Sequence, residues 1–133
     1  MEAVGYGLCD PFVEAFFTAH LGPTSVMLLR RIGRGFQASP EGFSLNVADT
    51  AAGLGVASSG RNSPWWRTIS RLVYFDIAQV RGAEALAVRR ALAPLPHRLL
   101  RRLPPNLQRA HERAEATRRS GATPAAGADR RAS

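Results

Sequence analysis

The stretch from residue 63 to residue 90 changes from helical to strand periodicity, and this change limits the possible folds more than any other feature. Ser63 is a favoured N-cap residue and Pro64 a favoured first helical residue. At 100° per residue, the helix predicted over Pro64 to Phe75 has one apolar face. That face, which we expect to be a core stripe, consists of Trp65, Ile69, Leu72 and Val73. Residues 77–80 then predict a strand, 81–84 a turn and 85–90 a returning strand. The segment therefore predicts a helix followed directly by a two-stranded hairpin.

The opposite face of this helix is polar and basic. Arg67, Arg71 and Tyr74 lie on it with Ser70 at its edge, and Arg61 and Asn62 precede the same helix. The chain has 18 basic residues, all of them arginine, and a formal net charge of +8. Residues 1–60 hold three arginines and five acidic residues, whereas residues 61–113 hold eleven arginines and three acidic residues. A GC-rich genome would by itself favour arginine codons, but the uneven distribution of the arginines favours a polyanionic partner.

The N-terminal half predicts helices, a turn and a short strand. Asp10 and Pro11 start an amphipathic helix that reaches Leu21, and a longer helix follows from Pro23, with Gly33 and Gly35 weakening its end. Residues 39–42 predict a turn, and residues 43–47 alternate as a half-buried strand would. Asn46 caps a further predicted helix over residues 47–54 that ends at Gly55.

The C-terminal part predicts two short helices, over 97–103 and 107–116, separated by Pro104 and Pro105. Residues 117–133 lack apolar periodicity and predict a disordered basic tail. The other bulk features argue against several classes of protein. No stretch is long and apolar enough to span a membrane, the first residues lack a signal-peptide pattern, and we expect a cytoplasmic protein. The single Cys9 and the three scattered histidines predict no disulfide, metal site or cofactor. No arrangement of acids or nucleophiles supports catalysis, so we expect no enzyme.

The order of these elements resembles the winged helix-turn-helix family of DNA-binding proteins. Residues 46–56 look like the first helix of its motif and the turn, with Ala48 or Ala52 where two helices cross. Residues 61–75 are similar to its recognition helix. Asp76 stands where many members have glycine, a departure that aspartate tolerates because it adopts left-handed conformations more easily than most residues. The loop between the two helices is also longer than in the simplest members. The pattern is likewise similar to short winged-helix proteins of GC-rich actinobacteria.

The resemblance implies a mostly α fold with a small β-wing and extra helices at both ends. It divides the chain into an N-terminal helix (1–22), a winged helix-turn-helix domain (23–92), C-terminal helices (93–116) and the tail (117–133). It implies double-stranded DNA binding, sequence-specific or architectural, by a nucleoid-associated regulator of transcription. The recognition helix would lie at about 64–75 and the wing at about 77–90. Arg67 and Arg71 would read bases, while Arg61, Asn62 and Ser63 would position the phosphate backbone. The whole expected DNA-binding set is Arg61, Asn62, Ser63, Trp66, Arg67, Ser70, Arg71, Tyr74, Arg81, Arg89 and Arg90.

Four alternatives stay open at the level of sequence. An arginine-rich adaptor on RNA or membrane surfaces is a minor one, because the chain lacks the exposed aromatic sheet or the amphipathic basic helix that it would need. A winged helix that binds protein instead of DNA would use Trp66, Tyr74 and the arginines as interface anchors. The arginines on the helix face are also compatible with a merely solvated surface. The aromatic residues of the first helix, Phe12, Phe16 and Phe17, fit either packing within the domain or a homodimer formed through the N-terminal and C-terminal helices. No small-molecule ligand is inferred.

Overall fold

A computed structural model describes residues 5–120 of the chain. The chain divides into two compact units, Met1–Pro94 and Leu95–Ser133. The described part is mostly helical, with two small antiparallel sheets of two strands each. This architecture confirms the expected mostly α composition with a small β component.

The helices of the first unit follow one another closely along the chain. They are α1 (Pro11–Phe16), α2 (Thr18–Leu21), α3 (Pro23–Ala38), α4 (Val47–Gly53) and α5 (Pro64–Tyr74). The predicted caps are confirmed: the Asp10 carboxylate accepts from the Phe12 amide at 2.8 Å, and the Asn46 side chain accepts from the Asp49 amide at 2.8 Å. The predicted first helix is divided at Phe17, although the Phe17 and Leu21 amides still donate to the carbonyls four residues earlier. The helix starts were therefore predictable from local capping chemistry.

The strands form two separate ladders. They are β1 (Tyr6–Gly7), β2 (Ala78–Arg81), β3 (Ala85–Val88) and β4 (Ala91–Leu92). β2 and β3 pair from Ala78 opposite Val88 to Arg81 opposite Ala85, so the hairpin predicted after α5 is confirmed. Its loop is residues 82–84, and Gly82 adopts the positive φ of +72° that such a tight loop requires. β1 pairs antiparallel with β4, a contact between the two ends of the first unit that the sequence did not indicate.

The core of the first unit lies where α1, α2, α3 and α5 bring their apolar faces together with the two sheets. Its fully buried side chains include Tyr6, Val13, Leu28, Leu29 and Leu72. The aromatic residues of the N-terminal helices belong to this core, since Phe12, Phe16 and Phe17 are each at most 7% exposed. The aromatic content of this helix was the reason to consider a dimer formed through it. Because the three rings are buried within the first unit, they offer no exposed face for such a dimer.

The strand predicted over residues 43–47 is wrong, because the chain there is irregular until α4 begins. Its side chains are used in other ways: the Phe43 ring packs edge-on against Phe36 at 5.3 Å, and Asn46 caps α4. Among residues 5–120 the segment has no partner strand, because β1 pairs with β4 and β2 pairs with β3. An isolated alternating segment gains no ladder hydrogen bonds, so local packing and capping decide its conformation.

Glycines 33 and 35 do not end α3, which continues to Ala38. A Cβ on Gly33 would lie 2.9 Å from Cys9 Sγ and 3.0 Å from Leu8 Cβ. A Cβ on Gly35 would meet the Phe43 ring. Glycine at both positions therefore allows neighbouring segments to approach α3 closely. This close packing, and not a role in ending the helix, explains why these positions have no side chain.

The second unit contains α6 (His97–Leu100) and α7 (Pro105–Arg119). α6 is three residues shorter than predicted. α7 is longer at both ends and continues three residues into the segment predicted as a tail. Residues 121–133, the rest of that predicted tail, lie outside the described residues. His111 is the buried residue of α7, and burial lowers its pKa against the opposing effects of the nearby Glu115 and Glu112.

Candidate nucleic-acid interface

The N-terminus of α5 is closed by hydrogen bonds within the chain. The Ser63 side chain accepts from the Trp66 amide at 3.4 Å, and the Ser63 carbonyl accepts from the Arg67 amide at 3.0 Å. The Trp65 amide donates to the Ala57 carbonyl of the preceding loop at 3.1 Å, and Pro64 has no amide hydrogen. The first turn consequently has no free backbone amide for a phosphate. Ser63 is also only 7% exposed, so its position is that of a structural cap.

The buried face of α5 differs from the predicted stripe at one position. Trp65, Ile69 and Leu72 are buried as predicted, but Val73 is 40% exposed and Thr68 is buried in its place. Thr68 lies between Trp65 and Leu72 on the helix surface, and its hydroxyl donates to the Pro64 carbonyl at 2.9 Å. A threonine that satisfies its own hydroxyl in this way fits an apolar interface. Classifying residues as apolar or polar therefore misplaced both Thr68 and Val73.

The outward face of α5 is open to solvent along its length. It carries Arg67, Ser70 and Tyr74 at its centre and Trp66 and Val73 along one edge. Tyr74 is 83% exposed and Trp66 is 40% exposed. The indole of Trp66 lies edge-on to the buried Trp65 ring at 6.5 Å, so its position is supported by the core. This face combines one cation, hydroxyl groups and exposed aromatic surface.

Most arginines of the first unit are already engaged by the protein. Five of its nine arginines donate to backbone carbonyls of other segments, namely Arg30, Arg31, Arg71, Arg89 and Arg90. Four of the acceptor carbonyls lie at or just after the C-terminal end of a helix. Those ends carry partial negative charge and carbonyls without a helical partner, both of which favour a guanidinium. A large share of the basic charge therefore holds the unit together.

Arg71 is one of these structural arginines. Its guanidinium donates to the Leu21 carbonyl, the last residue of α2, at 3.3 Å. It also lies close to the backbone of Gly22, where an added Cβ would be 3.0 Å from Arg71 Nη1. Gly22 has a φ of +87°, a conformation that glycine adopts readily. Arg71 thus links α5 to the turn between α2 and α3.

Arg89 links the hairpin to the end of α5. Its Nε donates to the Asp76 carbonyl at 2.6 Å and its Nη2 donates to Asp76 Oδ2 at 2.8 Å. Asp76 has a φ of +61°, the only positive φ of a non-glycine among residues 5–120. Its amide donates to the Val73 carbonyl and the Ile77 amide to the Leu72 carbonyl, the bonds of a left-handed helix end. The prediction that aspartate adopts this conformation in place of glycine is confirmed.

The other two arginines in and just after the hairpin, Arg81 and Arg90, also contact groups of the protein. Arg90 donates to the Pro40 carbonyl, and its guanidinium lies 4.0 Å from the centre of the Phe36 ring. Arg81 Nε donates to Gln79 Oε1 at 3.0 Å on the same exposed strand. The Arg81 contact joins two exposed side chains and is easily exchanged for a ligand, whereas Arg90 is held by both a carbonyl and a ring.

Within residues 5–94, three arginine side chains make no hydrogen bond or ion pair: Arg34, Arg61 and Arg67. Two of the three, Arg61 and Arg67, belong to the expected DNA-binding set. We call the following residues the α5 face: Arg61, Asn62, Trp66, Arg67, Ser70 and Tyr74. All six are exposed. Arg34 on α3 was outside the expected DNA-binding set, and no sequence pattern indicated that the Arg34 side chain would be unpaired while that of Arg71 would be bonded.

The described residues contain no group of three His, Cys, Asp or Glu side chains that could hold a metal ion. Among the same residues, no helix combines the length and apolar character needed to cross a bilayer. Comparison of the chain with family models, curated proteins and solved structures gives no match. The interpretation of the α5 face therefore depends on its own geometry.

Proposed function

We propose that the first unit binds double-stranded DNA in the manner of a winged helix-turn-helix domain, with α5 in the major groove and the β2–β3 hairpin as the wing. The observation that carries the proposal is the α5 face, an open helix surface with the unpaired Arg67 at its centre and the unpaired Arg61 before its first turn. The order α4, loop, α5 and hairpin supports it, as does the left-handed helix end at Asp76.

The residues of the α5 face have distinct roles under this proposal. Arg67 reads a base edge, because a guanidinium reaches both acceptors of guanine in the major groove. Ser70 and Tyr74 offer hydroxyl groups to bases or phosphates, and Arg61 and Asn62 position the backbone through their side chains. Arg81 contacts a phosphate or the minor groove after leaving Gln79. Arg71, Arg89 and Arg90 act within the protein. Bound in this way, the chain would act as a regulator of transcription or as an organiser of DNA.

A salt titration of binding to short random-sequence duplexes tests the proposal. Three phosphate contacts would lower the affinity about 40-fold between 50 and 200 mM salt. The sequence preference of the bound pool should be lost in Arg67→Met and kept in Arg34→Met, which removes the same charge from another exposed, unpaired arginine. An equal loss of preference in both variants, or no binding by the wild-type chain at low salt, would contradict the proposal.

A protein-binding winged helix is the second candidate, and a specific observation favours it. Tyr74 is 83% exposed, Val80 of the hairpin 56%, and Trp66 and Val73 each 40%. Exposed aromatic and aliphatic side chains of this kind are typical anchors of protein interfaces. Such an interface would bind a protein with little dependence on salt, and Tyr74→Ala would weaken it more than Arg67→Met would.

A further inference from the structure

We propose that Arg89 and Asp76 form a clamp that sets the angle of the wing relative to the recognition helix, and that Arg89 is a positioning residue that does not contact DNA. This inference rests on the proposed function, because it concerns how the two DNA-contacting elements are held. Arg89 directly follows β3, whereas Asp76 lies between α5 and β2. One side chain thus joins the far strand of the hairpin to the hinge where the hairpin leaves the helix.

The geometry of the contact favours a positioning role. A single guanidinium engages both the carbonyl and the carboxylate of Asp76, at 2.6 Å and 2.8 Å. Two hydrogen bonds from one planar group restrict direction as well as distance. The Arg89 amide also donates to the Ile77 carbonyl at 2.9 Å, which continues the hairpin ladder to the same hinge. Arg89 is therefore held by its backbone and by its side chain.

The hinge itself has one well-defined conformation. Asp76 is left-handed, with a φ of +61°, and the Ile77 amide closes the end of α5 on the Leu72 carbonyl. Leu72 and Ile77 are both buried, as is usual beside a helix end of this type. The hinge fixes where the hairpin starts, and the bonds to Arg89 determine where its second strand lies. Together, the hinge conformation and the Arg89 bonds hold the wing at one angle relative to α5, and therefore to a bound duplex.

The charge at Asp76 makes the clamp distinguishable from a DNA contact. The Asp76 side chain is 87% exposed and carries a negative charge beside the proposed wing. If that charge only repelled phosphates, or if it only competed with DNA for Arg89, its removal would tighten DNA binding. If the carboxylate holds Arg89 in the clamp, its removal weakens DNA binding despite the lost repulsion. The sign of the effect separates the two cases.

The experiment measures DNA affinity and its salt dependence for the wild-type chain, Arg89→Gln, Asp76→Gly, Asp76→Asn and the double variant Asp76→Gly with Arg89→Gln. Glycine and asparagine both tolerate a positive φ, and asparagine keeps an oxygen that accepts from Arg89. For the clamp we expect about a two- to fivefold loss of affinity in Arg89→Gln, the range that an exposed ion pair can support. We expect a smaller loss in Asp76→Gly, and near-wild-type affinity in Asp76→Asn.

The salt slope decides whether Arg89 touches DNA. A positioning residue leaves the slope of log affinity against log salt unchanged, whereas loss of a phosphate contact lowers the slope by about 1. In the clamp, Arg89→Gln also has less effect in the Asp76→Gly background than alone. Amide hydrogen exchange across β2 and β3, measured without DNA, should speed up in Arg89→Gln.

A reduced slope in Arg89→Gln, or tighter binding by Asp76→Gly, overturns the clamp while leaving DNA binding intact. Unchanged affinity and unchanged hairpin exchange in Arg89→Gln overturn it as well. Absence of binding by the wild-type chain overturns the proposed function, and with it the clamp. Urea unfolding of each variant shows whether a loss of binding reflects global unfolding, and Asp76→Asn is the variant expected to keep the fold in every case.

Discussion

Arg67 and Arg71 lie one turn apart on α5 in different surroundings, and replacing each by methionine should separate the structural role of Arg71 from the proposed DNA contact of Arg67. Methionine keeps a long unbranched side chain and nearly the same helix propensity as arginine, so the change removes mainly the guanidinium. The Arg71 guanidinium donates to the Leu21 carbonyl at 3.3 Å, whereas the Arg67 side chain makes no hydrogen bond or ion pair within residues 5–120. Stability should therefore depend on Arg71 and sequence preference on Arg67.

The size of the stability effect follows from the bond that is lost. A hydrogen bond with a charged donor contributes about 1.5 to 3 kcal/mol when it is well buried. The exposure of Arg71 places its bond at the lower end, and we expect Arg71→Met to lower the free energy of unfolding by about 1 to 2 kcal/mol. With a urea m-value of about 1 to 3 kcal/mol per molar, the midpoint should fall by about 0.3 to 2 M. Arg67→Met should stay within about 0.5 kcal/mol of the wild type, as surface substitutions usually do.

The DNA measurement should give the reverse order. Arg67→Met should reduce discrimination at one base pair by about 1 to 3 kcal/mol, measured on a selected duplex and its single-base variants. Arg71→Met should retain the preference of the wild type at temperatures where it is folded. Wild-type stability together with lost preference in Arg71→Met would refute the reasoning, because it would mean that the guanidinium leaves Leu21 to read DNA.

Three further predictions concern folding. Gly33→Ala should lower the free energy of unfolding by about 1 to 2 kcal/mol in urea, because the cost of crowding Cys9 and Leu8 with a Cβ exceeds the gain in helix propensity. Gln37→Ala, an exposed substitution on the same helix, should not lower it. Asp76→Val should be about 1 to 2 kcal/mol less stable than Asp76→Gly, since a β-branched residue is strained at positive φ, and equal urea midpoints would contradict this. Burial lowers the pKa of His111 in the folded chain, so the unfolded chain binds a proton first and stability should fall as the pH drops below about 6.5. His111→Gln should flatten the dependence of the thermal midpoint between about pH 7 and 5.5, and a midpoint that still falls as steeply in this variant would contradict the reasoning.

Local chemistry made much of the fold predictable. The starts of α1, α4 and α5 follow from Asp10, Asn46 and Ser63, whose side chains hydrogen-bond amides two or three residues later. Asp76 and the hairpin were predictable for the same reason, because a left-handed helix end and a short loop are decided by a few neighbouring residues. The errors arose where distant segments meet. Whether residues 43–47 form a strand depends on a partner strand, and the pairing of β1 with β4 joins residues more than eighty positions apart.

The candidate site was predictable as a surface but not residue by residue. Helical periodicity placed Arg67, Ser70 and Tyr74 outward, and all three are exposed. The same periodicity placed Arg71 with them, because it predicts the direction of the Cα–Cβ bond. It does not predict where the guanidinium at the end of a long side chain will lie. The acceptor of Arg71 lies fifty residues earlier in the chain. No pattern local to α5 indicates that the carbonyl of Leu21 would be within reach.

The use of arginine as a helix-end donor changes what the net charge means for function. A guanidinium stays charged, presents several donors and loses hydration more readily than an ammonium group, so it suits carbonyls at helix ends. In the first unit four arginines serve such carbonyls and a fifth, Arg30, holds the Cys9 carbonyl at 3.3 Å. Part of the excess of arginine is therefore needed for the fold. For this reason the net charge alone is a weak argument for a polyanionic partner. The argument for DNA depends instead on location, since two of the three unpaired guanidinium groups in this unit lie on or just before α5. Converting Arg61 and Arg67 to methionine should therefore remove most of the affinity for DNA while leaving most of the positive charge in place.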